Sequence, residues 1–569
     1  MLEGWDSWAT MFTMMRVVVK RRRAHYLRVT RFPSTCAYNP SFAAASYLIL
    51  LWPRRKPRLP QAVSPTSSVV SSYTEGLREH MRIADLPEDI LLNIAQFLSV
   101  QDILALKQTC RVLHAFGSTD YLWHRLIERF DLPIGIPSDV PIHALSSDEL
   151  QRQTIKAIKL ELNWRRAVPS IKQSRMILGP NREPFAHMEL LREGNWLLTA
   201  QRYHRLLMTR FTTRMSVWSL KDVHQPYRVF SVEISGTYRS STMALHHSSS
   251  FATLIVAFNE EDQELQEIHT FPLRGDSYSK AVTSPSVLKR LKLPPYTVPG
   301  YRVIQDVVLA DGIIATTVAI FGDQGGVSFH ILLASASKGL SQWVDPQFSQ
   351  DLGSLKVRMH DKQIFILGQK SNTTIVRVYK LPQYVLGWDS ATTLNDATSL
   401  VDLGSVVSEY SYSLPKGMIS MTDELHVPRQ FRLTIPIVMF DIAGAVIRGT
   451  REQSSGCAIS FPYGRHGSNE EVTCTLLPCP DATSQQLGQI GATGHRMVWL
   501  EHDLETGRNR VMKFSMATER RKSIHGVLLP TQPHLPFALD ACNALAFDEV
   551  SGRLCLAFYD GSLHVLDFV

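Results

Sequence analysis

The chain has 569 residues and a formal net charge of +8; 44% of its residues are hydrophobic and 20% are charged. This length and composition allow one small and one large globular domain. Residues 1–60 contain eleven Lys and Arg against two acidic residues, so the positive charge is local and the rest of the chain is close to neutral. A neutral body argues against a partner made of nucleic acid.

Residues 1–80 lack the pattern of a folded domain, and we predict that they form a disordered basic tail and linker. The apolar run at 42–52 is shorter than the roughly 20 residues of a membrane span, so we expect no membrane contact. The basic runs at 20–23 and 54–58 leave a nuclear address open as an alternative, and the scarcity of acids resembles a mitochondrial presequence.

Motifs for catalysis or metal binding are missing from the sequence: it has no P-loop, GxGxxG, HExxH or GxSxG pattern. The Gly-rich stretch 322–326 lacks the Lys that a phosphate site needs, and we interpret it as a hairpin turn. His246 and His247 are neighbours on a predicted strand, so they point to opposite faces and cannot share one ion. The seven cysteines show no zinc spacing. We expect no catalytic site, cofactor or metal, and a function in binding.

Residues 83–130 predict a small all-α domain. Pro87 suits a first helical position, and the acids Glu88 and Asp89 complement the positive end of a helix dipole. A second helix should begin at Ser99, because Asp102 three residues later gives an Asp-containing relative of the capping box. Two shorter helices should follow.

This helical segment carries more apolar side chains than it can bury in itself. A bundle of fewer than fifty residues is marginal alone, and no metal or disulfide pattern is present to stabilise it. Burying five or six of these side chains in a partner would contribute roughly 1.5–3 kcal/mol each before association costs. The segment therefore predicts a protein partner; the alternative is an ordinary buried helical hairpin.

Several of its residues together resemble an F-box, namely Leu86-Pro87-Glu88 at the start of a helix, Thr109-Cys110-Arg111 and Leu122-Trp123. Leu113 departs mildly from the family, in which many members have Trp or Phe at this position. The resemblance covers about 45 of the 569 residues. It implies docking on the Skp-type adaptor of cullin–RING ubiquitin ligases. The residues that we expect to bind the adaptor or to support that surface are Leu86, Pro87, Ile90, Leu91, Ile94, Leu98, Leu104, Leu106, Cys110 and Trp123.

Residues 131–168 predict a proline-punctuated loop and then one helix. Ser146 and Glu149 have the spacing of a capping box, and the apolar residues that follow recur at helical spacing as far as Asn163 and Trp164. This helix resembles the linker that many F-box proteins place between adaptor-binding and substrate-binding parts.

From about residue 169 to residue 569 the period becomes that of strands. Predicted hairpins join 251–258 to 267–273, 312–321 to 327–334, 363–367 to 374–381, and 497–502 to 511–516. The last unit, 544–568, reads as three strands with Gly552 and Gly561 where the turns need positive φ.

The predicted strands fall into repeated units, which end near Leu220, Leu273, Ala334, Leu381, Met516 and Asp567. Four intervals measure 47–61 residues, and a fifth of 135 residues could contain two further units. This period predicts an α+β multidomain chain in which the F-box is followed by an all-β domain, a propeller of six to eight blades. Two units resemble degenerate WD-repeat blades. A β-sandwich is the alternative.

A basic cluster lies between two strands of the first unit: Arg202, His204, Arg205, Arg210 and Arg214. Arg side chains bind phosphate and carboxylate groups by bidentate hydrogen bonds, so this cluster is a candidate contact for an acidic or phosphorylated target. The alternative is a solvated surface loop.

The sequence thus predicts a substrate-recognition subunit of an SCF-type (Skp–cullin–F-box) ubiquitin ligase, located in the cytoplasm, the nucleus or both. Its partners would be the Skp-type adaptor, through it a cullin, and a target protein. One alternative is a scaffold that binds the adaptor without cullin. Another is a propeller enzyme fused to an F-box, which would need clustered acids or His at inward strand ends.

Overall fold

A computed structural model describes most of the chain beyond residue 82. The described residues are 83–136, 142–178, 183–191, 194–204, 211–245, 251–259, 266–274, 289–294, 300–322, 326–338, 340–348, 352–360, 362–370, 373–386, 400–413, 418–421, 432–440, 456–462, 473–477, 483–491, 493–503, 506–515, 522–530 and 535–569. The predictions for residues 1–80 and for His246 and His247 lie outside this part.

The described part of the chain opens with helices. Its α-helices are α1 Glu88–Ala95, α2 Val100–Lys107, α3 Arg111–Phe116, α4 Asp120–Glu128, α5 Ser147–Trp164 and the short α6 Gln383–Leu386. Short 3-10 helices lie at Ile83–Asp85, Ile142–Ala144 and Leu539–Ala541. None of the described helices is both long and apolar enough to cross a bilayer.

The predicted starts of α1 and α2 can be compared directly with the structure. Pro87 has a ψ of 149°, so it is the residue before α1 and not the first helical residue. The capping box of α2 is confirmed, because Asp102 N–H donates to Ser99 Oγ over 3.2 Å and Ser99 N–H donates to Asp102 Oδ2 over 3.1 Å.

The start of α5 differs from the predicted capping box. Glu149 N–H donates to Ser146 Oγ over 3.4 Å, but the Glu149 carboxylate accepts instead from Gln153 Nε2 over 2.9 Å and pairs with Arg152. Ser147 N–H is satisfied by a different helix, donating to Asp120 Oδ1 over 2.7 Å. A contact between α4 and α5 therefore replaces the second half of the box.

The strands of the described residues are numbered β1 to β29 in chain order, and they form seven sheets. The first two are β2 Phe185–Leu191, β3 Trp196–His204, β4 Phe211–Ser219 and β5 Tyr227–Ser235, and then β6 Thr237–Leu245, β7 Phe251–Asn259, β8 Gln266–Arg274 and β9 Lys289–Lys292. The third is β10 Tyr301–Ala310, β11 Ile313–Phe321, β12 Val327–Ser335 and β13 Ser341–Asp345, extended by β17 Leu400–Asp402, which runs parallel to β13.

The remaining sheets continue the series. The fourth is β14 Ser354–His360, β15 Gln363–Lys370, β16 Thr373–Lys380 and β18 Ser408–Ser413; the fifth is β19 Met418–Met421, β20 Arg432–Phe440, β21 Gly456–Pro462 and β22 Thr473–Leu477. The sixth is β23 Thr483–Ile490, β24 Arg496–Asp503, β25 Arg508–Ser515 and β26 Ile524–Leu529, and the seventh is β27 Cys542–Asp548, β28 Arg553–Phe558, β29 Leu563–Asp567 and β1 Gln173–Leu178.

These sheets are the blades of a β-propeller. Each contains an antiparallel four-stranded array, to which the third adds the parallel strand β17. The first strands of neighbouring sheets contact one another, as β6 contacts β10, β10 contacts β14 and β27 contacts β2. The ring closes where β1 joins β29 antiparallel, with Gln173 opposite Asp567. The propeller prediction and its range of six to eight blades are confirmed by seven sheets in the described residues. Among those residues, the long interval between Leu381 and Met516 contains the fifth sheet and most of the sixth.

The predicted hairpins are confirmed by the strand register. Strands β7 and β8, β11 and β12, β15 and β16, β24 and β25, and β27 to β29 pair as expected. Gly552 and Gly561 have φ values of 70° and 80° in the turns of the last blade. In the stretch 322–326, Gly322 N–H donates to Gly326 O over 2.9 Å, which closes the β11–β12 hairpin.

Candidate functional site

The helical domain has its own core, to which α5 contributes. Leu113, Phe116 and Trp123 pack inside it, and Leu150 of α5 packs against them. Trp123 is 0% exposed, and its Nε1–H donates to Gly117 O over 2.9 Å. The first half of α5 is thus part of this domain.

The structure divides the residues that we expected at the adaptor surface into three groups. Pro87 and Cys110 are exposed, and the half-buried ones are Leu86, Ile90, Leu98, Leu104 and Leu106. Buried ones are Leu91, Ile94 and Trp123. Trp123 cannot touch a partner in this conformation, because its ring is enclosed by the domain's own core. It supports the surface from within.

Sequence reasoning missed three apolar side chains that the fold exposes. Phe97 is 73% exposed, and Val112 and Tyr121 are each more than half exposed. Apolar side chains at such exposure are unfavourable in water unless a partner covers them. Phe97 stood among the surplus apolar residues of the sequence, but only the helix geometry shows that it faces outward. We refer to these three residues, together with the exposed and half-buried residues above, as the apolar face of the helical domain.

A cleft of about 230 Å³ lies beside this face, between α1, α2, α4 and α5. Its apolar lining includes Leu92, Leu98, Leu126 and Ile158. Arg125 at its edge is held by Tyr121 Oη at 3.0 Å and by Glu128 at 3.1 Å. The two hydrogen bonds raise the pKa of the Arg125 guanidinium, and its ion pair with Glu128 partly neutralises its charge.

The basic cluster lies on β3 and β4 and the connection between them. Arg214 donates to Glu233 Oε1 through Nε at 3.2 Å and Nη2 at 2.9 Å, so its charge is partly neutralised within the blade. Arg202 is half-buried on β3. The side chains of the other members, His204, Arg205 and Arg210, lie outside the described part of the structure.

Strand direction separates the two ends of the propeller. Arg553 Nη1–H donates to Gly194 O over 2.8 Å and to Leu220 O over 2.7 Å, which brings the β2–β3, β4–β5 and β27–β28 turns to one end. We call this end the helix end, because a Cβ placed on Gly552 would lie 2.5 Å from Leu160 of α5. β3 ends at His204 and β4 begins at Phe211 at the opposite end of the same blade, and Arg202 and Arg214 of the basic cluster lie near these strand ends.

The second half of α5 is built into the propeller. Leu160 and Trp164 are 0% exposed and belong to the core between the sixth and seventh blades. The Trp164 ring stacks on Phe547 at a centroid distance of 5.4 Å and meets Phe568 edge-on at 6.4 Å. Asn163 Nδ2–H donates to Phe568 O over 2.7 Å. One continuous helix is therefore shared by the two cores.

Charged groups join α5 to the propeller at the same place. Glu161 Oε2 accepts from Arg496 Nη2 over 2.7 Å, and His495 Nε2 lies 3.8 Å from the same oxygen. Burial alone would raise the pKa of Glu161, but the nearby His495 and the hydrogen-bonded charge of Arg496 outweigh it and hold that pKa far below its usual range. Among the described residues no group of three or more His, Cys, Asp or Glu could hold a metal ion.

Comparison with known proteins agrees with this division. Residues 83–129 match the family model described as F-box-like. The crystal structure of the C-terminal WD40 domain of Sif2 is similar to 70% of this chain over 99% of its own length, with 10% identity and a TM-score of 0.34. At that TM-score the propeller assignment rests on the sheet topology alone. No curated protein matches the chain.

The fold and its surfaces therefore define a two-part protein in which a small helical docking domain is built onto a β-propeller. Its helical part is F-box-like, so the chain combines an F-box with a propeller. F-box domains generally bind Skp-type adaptors, and propellers of the WD40 kind bind protein targets.

Proposed function

We propose that this chain is the substrate-recognition subunit of an SCF-type ubiquitin ligase. The helical domain docks the Skp-type adaptor, a cullin joins through that adaptor, and the propeller holds a target protein. The observation that carries the proposal is the F-box-like match over 83–129 on a domain whose apolar face exposes Phe97, Val112 and Tyr121. A cytoplasmic or nuclear location follows from the partners.

The apolar face is suited to a protein partner in size and chemistry. Fully burying a large apolar side chain contributes roughly 1.5–3 kcal/mol, and several of them together offset the loss of translational and rotational freedom on association. Exposed aromatic residues are also the type that carries most of the energy in protein interfaces. Phe97 is the most exposed large apolar side chain of the described residues.

The end of the propeller opposite α5 is where we place the target. An adaptor on the helical domain and a target on that end do not compete for one surface. The basic cluster on β3 and β4 (Arg202, His204, Arg205, Arg210 and Arg214) favours an acidic or phosphorylated segment of the target. This receptor performs no bond chemistry; it raises the effective concentration of a target lysine near the charged conjugating enzyme.

Affinity purification of the full chain tests the adaptor and cullin steps together. We expect the wild-type chain to recover both, and the Leu86→Ala/Pro87→Ala variant, with unchanged circular dichroism, to recover neither. Tyr559→Ala is the control, because Tyr559 is 67% exposed on the seventh blade, away from the helical domain. Recovery of adaptor without cullin would support a scaffold instead of a ligase subunit. If the double variant recovers as much adaptor as the wild type, the adaptor does not bind through Leu86 and Pro87.

Proximity labelling under proteasome inhibition tests the target step. Candidate targets are proteins that both the wild type and Leu86→Ala/Pro87→Ala label in the presence of the inhibitor, and whose abundance without the inhibitor rises when the variant replaces the wild type. That variant still binds them but cannot deliver them. An Arg205→Glu/Arg210→Glu variant should lose labelling of those same proteins while its adaptor recovery is unchanged. Retained labelling in this charge-reversed variant would exclude the basic cluster as the contact.

A further inference from the structure

Arg496 joins three parts of the molecule that are distant in sequence. Its side chain is buried at the start of β24, where Nη2–H donates to Glu161 Oε2 of α5 over 2.7 Å. Nη1–H donates to Glu549 O, in the turn after β27, over 2.9 Å. The guanidinium carbon also lies 5.8 Å from the centre of the Trp164 ring. One side chain of the sixth blade therefore contacts both α5 and the seventh blade.

The apolar contacts of α5 with the propeller do not specify its register by themselves. Burial of Leu160 and Trp164 is favourable in any arrangement that removes them from water, because the hydrophobic effect is not directional. A buried ion pair is directional: a slip of α5 by one residue moves a side chain about 1.5 Å along the axis and about 100° around it. Either movement would leave Arg496 buried without its carboxylate, which is costly.

The register of α5 on the propeller determines the orientation of the helical domain. Leu150 in the first half of α5 packs in the helical core, and Lys107 Nζ of α2 donates to Gln151 Oε1 over 2.7 Å. Ser147 N–H at the first residue of α5 is bonded to Asp120 of α4. A rotation or slip of the helix on the propeller must therefore carry the helical domain with it.

We propose that Arg496 is a positioning residue: its pairing with Glu161 sets the register of α5 and thereby the orientation of the F-box-like domain on the propeller. A fixed orientation would hold the adaptor at one distance from a bound target, and this role rests on the proposed function. The positioning itself does not, since it is a property of the chain alone.

Replacing the whole Glu161–Arg496 pair should change the orientation of the helical domain without changing the stability of the fold. Replacing both members of a buried ion pair by apolar residues of similar size is often neutral or stabilising, whereas removal of one member leaves an unpaired buried charge. The Glu161→Met/Arg496→Met variant should therefore stay folded with a melting temperature close to that of the wild type. Its junction keeps the hydrogen bonds of Asn163 to Phe568 O and of Lys513 to Trp164 O, but without the buried ion pair we expect a second register of α5 to become populated.

A distance measurement between two spin labels tests this on the full chain. One label is attached to Cys110, which is exposed, and the other to Tyr559→Cys on the seventh blade. Cys36, Cys457, Cys474 and Cys479 are replaced by Ser to keep labelling specific. We expect one narrow distance distribution in the wild type and a broadened or split one in Glu161→Met/Arg496→Met.

The control is a second ion pair in the same blade, made by a buried Glu and a half-buried Arg. Glu501 accepts from Arg510 Nε over 2.9 Å and is itself 0% exposed. The Glu501→Met/Arg510→Met variant should keep the narrow distribution. An unchanged distribution in Glu161→Met/Arg496→Met, or equal broadening in both paired variants, would overturn the assignment.

A second variant changes only one member of the pair and is expected to be less stable than the double Met variant, so its distances are measured well below its melting temperature. Glu161→Gln keeps the size and hydrogen-bonding groups of the side chain but removes its charge, and it should broaden the distribution less than the double Met variant. Because no adaptor is present, failure of this test leaves the ligase proposal standing. Normal positioning combined with absent adaptor binding would instead count against that proposal alone.

Discussion

The ammonium group of Lys513 donates a hydrogen bond over 2.6 Å to the main-chain oxygen of Trp164, at the last residue of α5. The same group donates to Arg166 O over 2.5 Å. The last carbonyls of a helix have no partners within the helix, and a cation there complements the negative end of its dipole. A strand of the sixth blade thus supplies the C-terminal cap of a helix that begins in another domain.

Because of Lys513, the free energy of unfolding should depend on pH in the alkaline range. Burial lowers the pKa of its ammonium group from 10.5 to about 8. Between these two values the unfolded chain holds this proton more tightly than the folded chain, so the contribution of Lys513 to the free energy of unfolding rises as the pH increases. Urea unfolding of the wild type and Lys513→Met near pH 8 and near pH 10 should show the difference shifting in favour of the wild type at the higher pH. If wild type and Lys513→Met differ in free energy of unfolding by the same amount at both pH values, the ammonium group is not desolvated.

Glu161 should give a pH dependence of the same sign in the acidic range. Its pKa in the folded chain is held below the ordinary 4.5, so its contribution is complete above that value and is lost as the pH falls. Near neutral pH, Glu161→Gln should lower the free energy of unfolding by about 3–5 kcal/mol, because Arg496 keeps a buried charge without its partner. The gap between wild type and variant should narrow below the ordinary pKa. A gap that is constant with pH would contradict the ion pair.

Two glycines with similar backbone conformation allow the packing of α5 to be measured. Gly552 and Gly507 have φ values of 70° and 65°, but only at Gly552 would a methyl group meet Leu160, at 2.5 Å. At Gly507 nothing lies within 4 Å of that position. Gly507→Ala should cost about 1 kcal/mol from backbone strain alone, and Gly552→Ala about 1–3 kcal/mol more. Equal losses in thermal or urea unfolding would mean that Leu160 moves aside freely.

Phe97 should matter for adaptor binding and not for stability. Because its ring is 73% exposed, Phe97→Ala should change the free energy of unfolding by no more than about 0.5 kcal/mol. If the ring enters the adaptor, the affinity measured by calorimetry with purified Skp-type adaptor should fall about tenfold or more. Tyr559→Ala, which removes a similarly exposed ring from the propeller, should leave that affinity unchanged. Equal affinities for wild type and Phe97→Ala would place the adaptor elsewhere on the helical domain.

Much of this architecture could be predicted because local patterns decide it. The Ser99–Asp102 box, the positive φ of Gly552 and Gly561, and the continuous apolar runs of β7, β11 and β28 depend on near neighbours in sequence. The half-formed box at α5 shows the limit. Asp120, 27 residues away, takes over the helix N-terminus, and no local rule anticipates that.

For a related reason, the sequence could not predict which apolar side chains of the helical domain are buried and which are exposed. Leu91 and Phe97 are both apolar and lie near α1, yet one is buried and the other is largely exposed, because the outcome depends on which neighbours pack against each. The Glu161–Arg496 pair is still harder to see, since 335 residues separate its members. Its only trace in the sequence is an acid on the otherwise apolar side of a predicted helix.

The pairing of β1 with β29 has a consequence for biosynthesis. About 390 residues separate Gln173 from Leu563, so β1 leaves the ribosome long before the strand that will cover its edge. At about 5–20 residues per second, that wait lasts on the order of 20 to 80 seconds. During this time β1 presents unpaired main-chain groups, and the end of α5 lacks the seventh blade that encloses Trp164. Newly made chains should therefore need chaperone protection until synthesis has passed the last blade.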